Sequence, residues 1–477
     1  MNNRIPRGPS SLANSSRRSR LPWFIAAGCL LVVFIALLFT KNKNPITPFT
    51  STDAPQPQPS ASPNTSVSDR PFSRLPNPRS FVEPAFTAAE IVTNKVTQFA
   101  RSRRKLAHAM AEHFKIAVPN EFERFFDAAE AGRYDEMTAI YQSLRRQRET
   151  GTDTSWYGPQ WRTIIETQGV ADAARDWPAQ KLLDYGNDVL GSLRPGMVYV
   201  GGTDPGCFIP TLLNETSDGD RHIVLTQNAL ADDSYLDYLS FLYGDRMKTL
   251  TKDDSQFAFQ EYIADAQKRL QHDQQFPTEP KQVRPGEDIR IGDNNKVQVS
   301  GQVAVMAINE KLLQIFMQNN PNASFAMEES FPFASTYAKA TPLGPIMELG
   351  VQHEQDALTA ERAAQSVDYW RATAQQLLSD PETPEGSDPR KAYSKMVSAQ
   401  AGLFLAGNYT AEAEQAFRIA NEICPTSPEA VFRYVNMLVE QQRFQDAILV
   451  GENAVNAAPE NRGFGDLLVQ LKKMKPK

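Results

Sequence analysis

The stretch VYVGGTDPGCFIPTLL, residues 198 to 213, holds residue types that phosphate and acid/base chemistry use. An apolar run stops at Gly201-Gly202, Thr203-Asp204-Pro205-Gly206 follow, and a second apolar run begins. Gly201 and Gly206 have the glycine spacing of a Walker-type phosphate loop, but Cys207 and Phe208 stand where lysine and a hydroxyl residue are required. The third glycine of a dinucleotide-binding turn is missing as well. Nucleotide chemistry is therefore unsupported here, and a strand-to-helix turn accounts for the residues. Gly201 and Gly202 end the strand, Asp204 can cap a helix, and Pro205 suits the first helical position. Alternatively Asp204-Pro205-Gly206 is the turn and the helix begins near Pro210. Cys207 reads as a small buried hydrophobe.

Position suggests a sharper reading than motif. In open parallel sheets, ligands bind beyond the carboxyl ends of the strands. Three such ends carry polar groups: Thr203-Asp204, then Gln227-Asn228 followed by Asp232-Asp233, then Glu328-Glu329-Ser330. Thr203, Asp204, Asn228, Asp232, Glu328 and Glu329 are thus the candidate ligand-binding residues, suited to a sugar, a cation or acid/base work. Each also has a plain role as a cap or a solvated loop residue. No residue is assigned to catalysis, and no cofactor or metal is expected. His108 and His113 in HAMAEH are five apart, on different helix faces, and match no metal-ligand spacing. The basic run Arg101, Arg103, Arg104, Lys105 reads as a solvated helix face.

The elements that would hold these residues follow from periodicity. MVYVGG (197–202), HIVLTQN (222–228), SFAMEES (324–330) and GPIMELG (344–350) are short apolar runs of buried-strand type. Helical patterns lie between them: ADDSYLDYLSFLYG, with Asp232 or Asp233 as N-cap, and VAVMAINEKLLQIFMQNNP closed by Asn320-Pro321. Strands alternating with helices predict an α/β domain over 181–350 with a mostly parallel sheet. Residues 85–180 read as a helical region, with a hairpin turning at Gly132. Residues 252–300 read as a helix followed by an irregular excursion, and 351–390 as a helix and linker.

Residues 391–477 repeat. Aligning GNYTAEAEQAFRIANEICP with QRFQDAILVGENAVNAAP pairs Ala413 with Ala447, Ala420 with Ala454 and Pro425 with Pro459, all 34 residues apart. Small residues suit the close approach of two helices, and proline ends the second. The segment resembles a pair of tetratricopeptide repeats, which implies all-α helical hairpins that bind a protein partner. Gly451, where a bulky apolar residue is usual, departs from that pattern. Further, GGTDPGCFIPTLL, VLTQNALADDSYLDYL and MEESFPF resemble an uncharacterised family of bacterial envelope proteins that join such an α/β region to such repeats. A more distant similarity is to the soluble part of glycosyltransferases that use lipid-linked sugars.

The N-terminus suggests an address. Leu21 to Thr40 is a 20-residue uncharged run, about 30 Å long as a helix, and reads as a transmembrane helix. It is longer than the apolar region of a cleaved signal peptide, and no small-residue cleavage site follows it. Residues 1–20 form a basic tail with Arg4, Arg7, Arg17, Arg18 and Arg20, which predicts a cytoplasmic N-terminus and a periplasmic body. Residues 41–84 read as a disordered tether: the stretch 45–84 has ten prolines and eleven Ser/Thr. Residues 1–43 carry seven Lys/Arg and no acidic residue, so the remainder has 43 Lys/Arg against 56 Asp/Glu. An acidic body argues against nucleic-acid binding. Three cysteines, Cys29, Cys207 and Cys424, are no disulfide framework.

The sequence thus predicts a single-pass inner-membrane protein, anchored through 21–40, that binds a protein partner through 391–477. The alternative is an envelope glycan-binding or glycan-processing protein that uses the acidic strand-end residues.

Overall fold

The computed structural model describes residues 86–151, 155–202, 205–284, 287–291, 297–328, 334–351 and 357–474. Helix α1 (Ala88–Phe114) begins with a capping box, in which the Thr87 side chain accepts from the Glu90 amide and the Glu90 carboxylate accepts from the Thr87 amide. It is followed by α2 (Asn120–Glu130), α3 (Tyr134–Thr150), α4 (Trp161–Asp176) and α5 (Ala179–Ser192). Their aromatic residues Phe122, Phe125, Phe126 and Trp161, together with Trp156, build a small core of their own.

Strand β1 (Val198–Gly201) follows, then α6 (Pro205–Glu215), β2 (Ile223–Thr226), α7 (Asp233–Tyr243) and α8 (Lys252–Gln275). Next come β3 (Asp288–Ile291), β4 (Val297–Ser300), α9 (Gln302–Asn319), β5 (Phe325–Met327), β6 (Thr341–Leu343) and β7 (Ile346–Leu349). Five strands form one sheet in the order β2-β1-β5-β7-β6, and β3 and β4 form a separate two-stranded ribbon. All four residues of β1 are buried, so the sheet is covered on both faces at its centre. Helix α9 packs on β5 through Phe316 against Phe325. Helix α6 starts at Pro205 and carries Pro210 inside it, so of the two turn readings the one with an early helix start holds.

The chain ends in helices α10 (Ala360–Ser379), α11 (Asp388–Ala406), α12 (Thr410–Ile423), α13 (Pro428–Glu440), α14 (Phe444–Ala457) and α15 (Arg462–Met474). Ala413, Ala447, Ala420 and Ala454 are fully buried where these helices meet. Ser394 of α11 donates to the Ala420 carbonyl of α12, and Ser398 to the Glu429 carbonyl of α13. Small side chains let the helices approach closely, and their hydroxyls then satisfy carbonyls of the neighbouring helices.

Three expectations are corrected. The mostly parallel α/β sheet is a small mixed sheet in a chain of fifteen α-helices among the described residues. β1, β2 and β5 are parallel, but β7 pairs antiparallel with both β5 and β6. The cause is local. Leu343 pairs with Ile346 across a two-residue turn in which Gly344 has φ +58°, as a primed hairpin turn requires. The separate tetratricopeptide domain is also withdrawn. One continuous apolar core runs from α1 and the sheet through α15, and α11 is buried against the sheet edge instead of presenting a free face. Finally, a single-pass membrane protein with its body in the envelope is not supported. Among the described residues no helix is long and apolar enough to cross a membrane, and the stretch 21–40 lies outside them. The long helices α1, α8 and α10 carry charged residues along their length.

Gln400 of α11 joins helices to sheet. Its carboxamide oxygen accepts from Ser366 Oγ and from Trp370 Nε1 (3.0 Å) of α10, and its nitrogen donates to the carbonyls of Gly344 and Ile346 (2.8 and 2.9 Å) at the β6–β7 turn. The side chain is fully buried, so no water can replace these partners. Gln400→Leu should lower unfolding stability in urea by about 2–4 kcal/mol, and Ser366→Ala by only about 1. Equal small losses from both would show that the amide is not the tie between the layers.

Candidate functional site

The parallel strands set up the strand-end position. Gly201 is in register with Thr226, and Val200 with Met327, so β1 lies between β2 and β5 with their carboxyl ends side by side. The chain leaves β1 toward β2 on one side and leaves β5 toward β6 and β7 on the other, so the topological switch point lies between β1 and β5.

Glu328 directly follows β5 and is buried, 1 % exposed. Its Oε1 accepts from the Tyr185 hydroxyl of α5 at 2.9 Å. The carboxylate lies over Gly206 in the first turn of α6, where a Cβ would come within 1.9 Å of both carboxylate oxygens. Glycine is needed here to let the carboxylate approach the helix start. The Glu328 side chain therefore fills the space at a helix N-terminus that an anionic ligand would otherwise use.

Asn228 and Asp232 follow β2 instead. Asn228 is exposed in the single 3-10 turn after β2. Asp232 is the N-cap of α7 and accepts from the Ser234 amide at 2.9 Å and its hydroxyl at 2.7 Å. Its neighbours are Tyr157 and, at 3.8 Å, Arg148 of α3. Thr203, Asp204 and Glu329 lie outside the described residues.

What sequence reading missed is a buried charge cluster behind β2. Glu166 of α4 receives Arg162 Nε at 3.2 Å, Arg103 Nε of α1 at 2.8 Å and the Tyr238 hydroxyl of α7 at 2.8 Å. Arg103 also meets Glu215 at the end of α6, at 3.4 Å. Arg162 donates onward to the Thr226 hydroxyl at the end of β2, and the Thr226 amide donates to the Tyr235 hydroxyl at 2.7 Å. The two buried guanidiniums face the carboxylates of Glu166 and Glu215, and the exposed Arg221 also meets Glu215 at 3.5 Å. Burial opposes the charge on Arg103, but Tyr238, Glu166 and Glu215 around it hold its pKa above the ordinary guanidinium value. Burial likewise pushes Tyr235 up to about 12, so its hydroxyl keeps its proton.

The basic run 101–105, expected to be a solvated face, is thus split. Arg103 is 4 % exposed, whereas Arg101 and Arg104 bind the Glu130 carboxylate of α2 at the surface. The Arg162–Glu166 spacing of four residues was the available signal, since it puts both groups on one helix face.

Cys207, in the first turn of α6, lies 3.4 Å from Thr226 Oγ1 and is buried. Burial raises its thiol from 9.0 to about 11, although Arg162 pulls the other way. The reactive species is the thiolate, so this cysteine is not activated as a nucleophile. Among the described residues no group of three His, Cys, Asp or Glu is placed to hold a metal ion. The described residues here fix strand ends and helix starts.

Comparison with family models, curated proteins and solved structures finds no match.

Two measurements check this account. At pH 8 a thiol with pKa about 11 is roughly a hundredfold less ionised than one at 9.0, so Cys207 should resist iodoacetamide in the folded protein and react after denaturation, as read by peptide mass spectrometry. Rapid native labelling would refute the burial. Glu166→Ala leaves two buried guanidiniums without a shared counter-ion and should cost about 3–5 kcal/mol in urea unfolding, against under ~1 expected for an ordinary surface carboxylate.

Proposed function

We propose that this chain is an interaction protein that holds a protein partner on its C-terminal helical hairpins, within residues 391–477. The observation that carries this reading is the repeated hairpin: α11 with α12 and α13 with α14, with buried alanines in equivalent places 34 residues apart. Among the described residues α15 is the last helix of this end of the fold and packs on α14. α15 exposes Arg462, Asp466, Val469 and Lys473, spaced along one helical stripe, and α14 exposes Leu449 on its side away from α15, since Gly451 faces Leu468 and Leu471. A partner helix with an apolar stripe and acidic flanks suits the α15 stripe, where Val469 stands between the basic Arg462 and Lys473 at the two ends.

The glycan-binding alternative has less behind it, since Glu328 is enclosed and Asp232 caps α7.

In the full chain, Leu449→Glu combined with Val469→Glu should leave the thermal unfolding midpoint within about 2–4 °C, because both side chains are surface groups. The same variant should lose the partner recovered by crosslinking and mass spectrometry from the source cells. A partner set identical to that of the unaltered chain would sink the proposal.

A further inference from the structure

Helix α8 is 24 residues long, yet its buried residues are only Ala258, Tyr262, Ala266 and Arg269. It rests on α9 and on β4, which leaves β3 as the outer strand of a ribbon that belongs to no larger sheet among the described residues. An outer strand has backbone groups on its free edge available for pairing, and two strands alone make a marginal sheet. Large apolar side chains are exposed around it: Phe257, Phe259, Ile291 and Val305 are 44–54 % exposed. A cleft of about 490 Å³ lies between Phe259 and Ile263 of α8 and Val297 and Val299 of β4, bordered by Asp288 and Arg290.

We propose that β3 is a self-association edge: two copies of the chain pair β3 with β3 antiparallel about a two-fold axis, completing a four-stranded sheet. The argument is the charge order of the strand, Asp288-Ile289-Arg290-Ile291. Side chains alternate along a strand, so Asp288 and Arg290 share one face. In a single copy they pair with each other at 2.7 Å and stay 40 % and 74 % exposed. Antiparallel pairing centred on Ile289 sets Asp288 opposite the second copy's Arg290, and Arg290 opposite the second copy's Asp288. Opposite charges two residues apart are self-complementary in this arrangement, as a two-fold interface requires, and directly opposed ion pairs stabilise antiparallel strands. The two Ile289 side chains meet at the axis. An edge of four residues with a modest apolar surround makes a weak contact, which predicts association that depends on concentration.

The test is sedimentation velocity of the full chain over a dilution series reaching on the order of 100 µM, the range in which small interfaces hold. The unaltered chain should form dimers. Asp288→Arg or Arg290→Asp alone sets like charges opposite one another and should weaken association at least tenfold. The double variant, Asp288→Arg with Arg290→Asp, restores the complementarity and should dimerise again. Ile289→Cys should form a disulfide-linked dimer under mild oxidation, since directly opposed antiparallel residues lie within disulfide reach. Arg290 is exposed, whereas Asp288 also accepts from Ser300 and Ile289 packs on the core, so an unaltered circular dichroism spectrum checks the fold of each variant. A monomer at every concentration, single variants that associate like the unaltered chain, or a double variant that fails to recover would each overturn the proposal. Pairing of the edge with a different protein would appear as the first of these.

Discussion

The sharing of Glu166 between two buried arginines is the constraint on which the centre of the molecule depends. Arg103 comes from α1, Arg162 from the same helix as Glu166, Tyr238 from α7 and Glu215 from α6. Four helices are therefore held by groups that cannot be left unpaired away from water. Through Thr226 the same cluster fixes the end of β2, and through Cys207 the start of α6 lies against it. Hydrophobic burial supplies the bulk of the stabilisation, but it tolerates sliding. A buried ion network with fixed geometry does not, so it selects one arrangement of these helices over near neighbours.

The strand-end edge shows how a position used elsewhere for ligands can be closed from within. Glu328 brings a carboxylate to the start of α6, and Gly206 makes room for it. Tyr185 holds that carboxylate from α5, and the Tyr199 hydroxyl donates to the Gly206 carbonyl from β1. The helix start is thus met by a negative charge of the same chain. Chemistry at this edge would first have to displace a side chain that the fold has already enclosed.

The helical end of the molecule and the sheet are one body. Gln400 binds α10, α11 and the β6–β7 turn together, and Tyr337 adds a hydroxyl bond to the Ala399 carbonyl. A repeat array that stood alone would leave the inner face of α11 to an external peptide. Here the sheet of the same chain occupies it through the β6–β7 turn.

Sequence by itself determined where regular structure begins and ends wherever the signal is local. The β-branched runs around Val198–Gly201 and Ile223–Thr226, the cap at Asp232 and the 34-residue offset of alanines are properties of neighbouring residues. It could not show that β7 runs antiparallel, that Thr341-Pro342-Leu343 forms an edge strand where proline loses no ladder bond, or that Asp288–Ile291 pairs with Val297–Ser300. Strand direction and pairing depend on which distant segments meet. The same holds for the candidate site. Glu328 looked like a rim residue because its exposure is set by Tyr185 and Gly206, more than a hundred positions away. Arg103 looked solvated because Glu166 and Glu215 reach it only in the folded chain. Local patterns are written in the chain, whereas the partner of a buried charge is decided only when packing brings the two together.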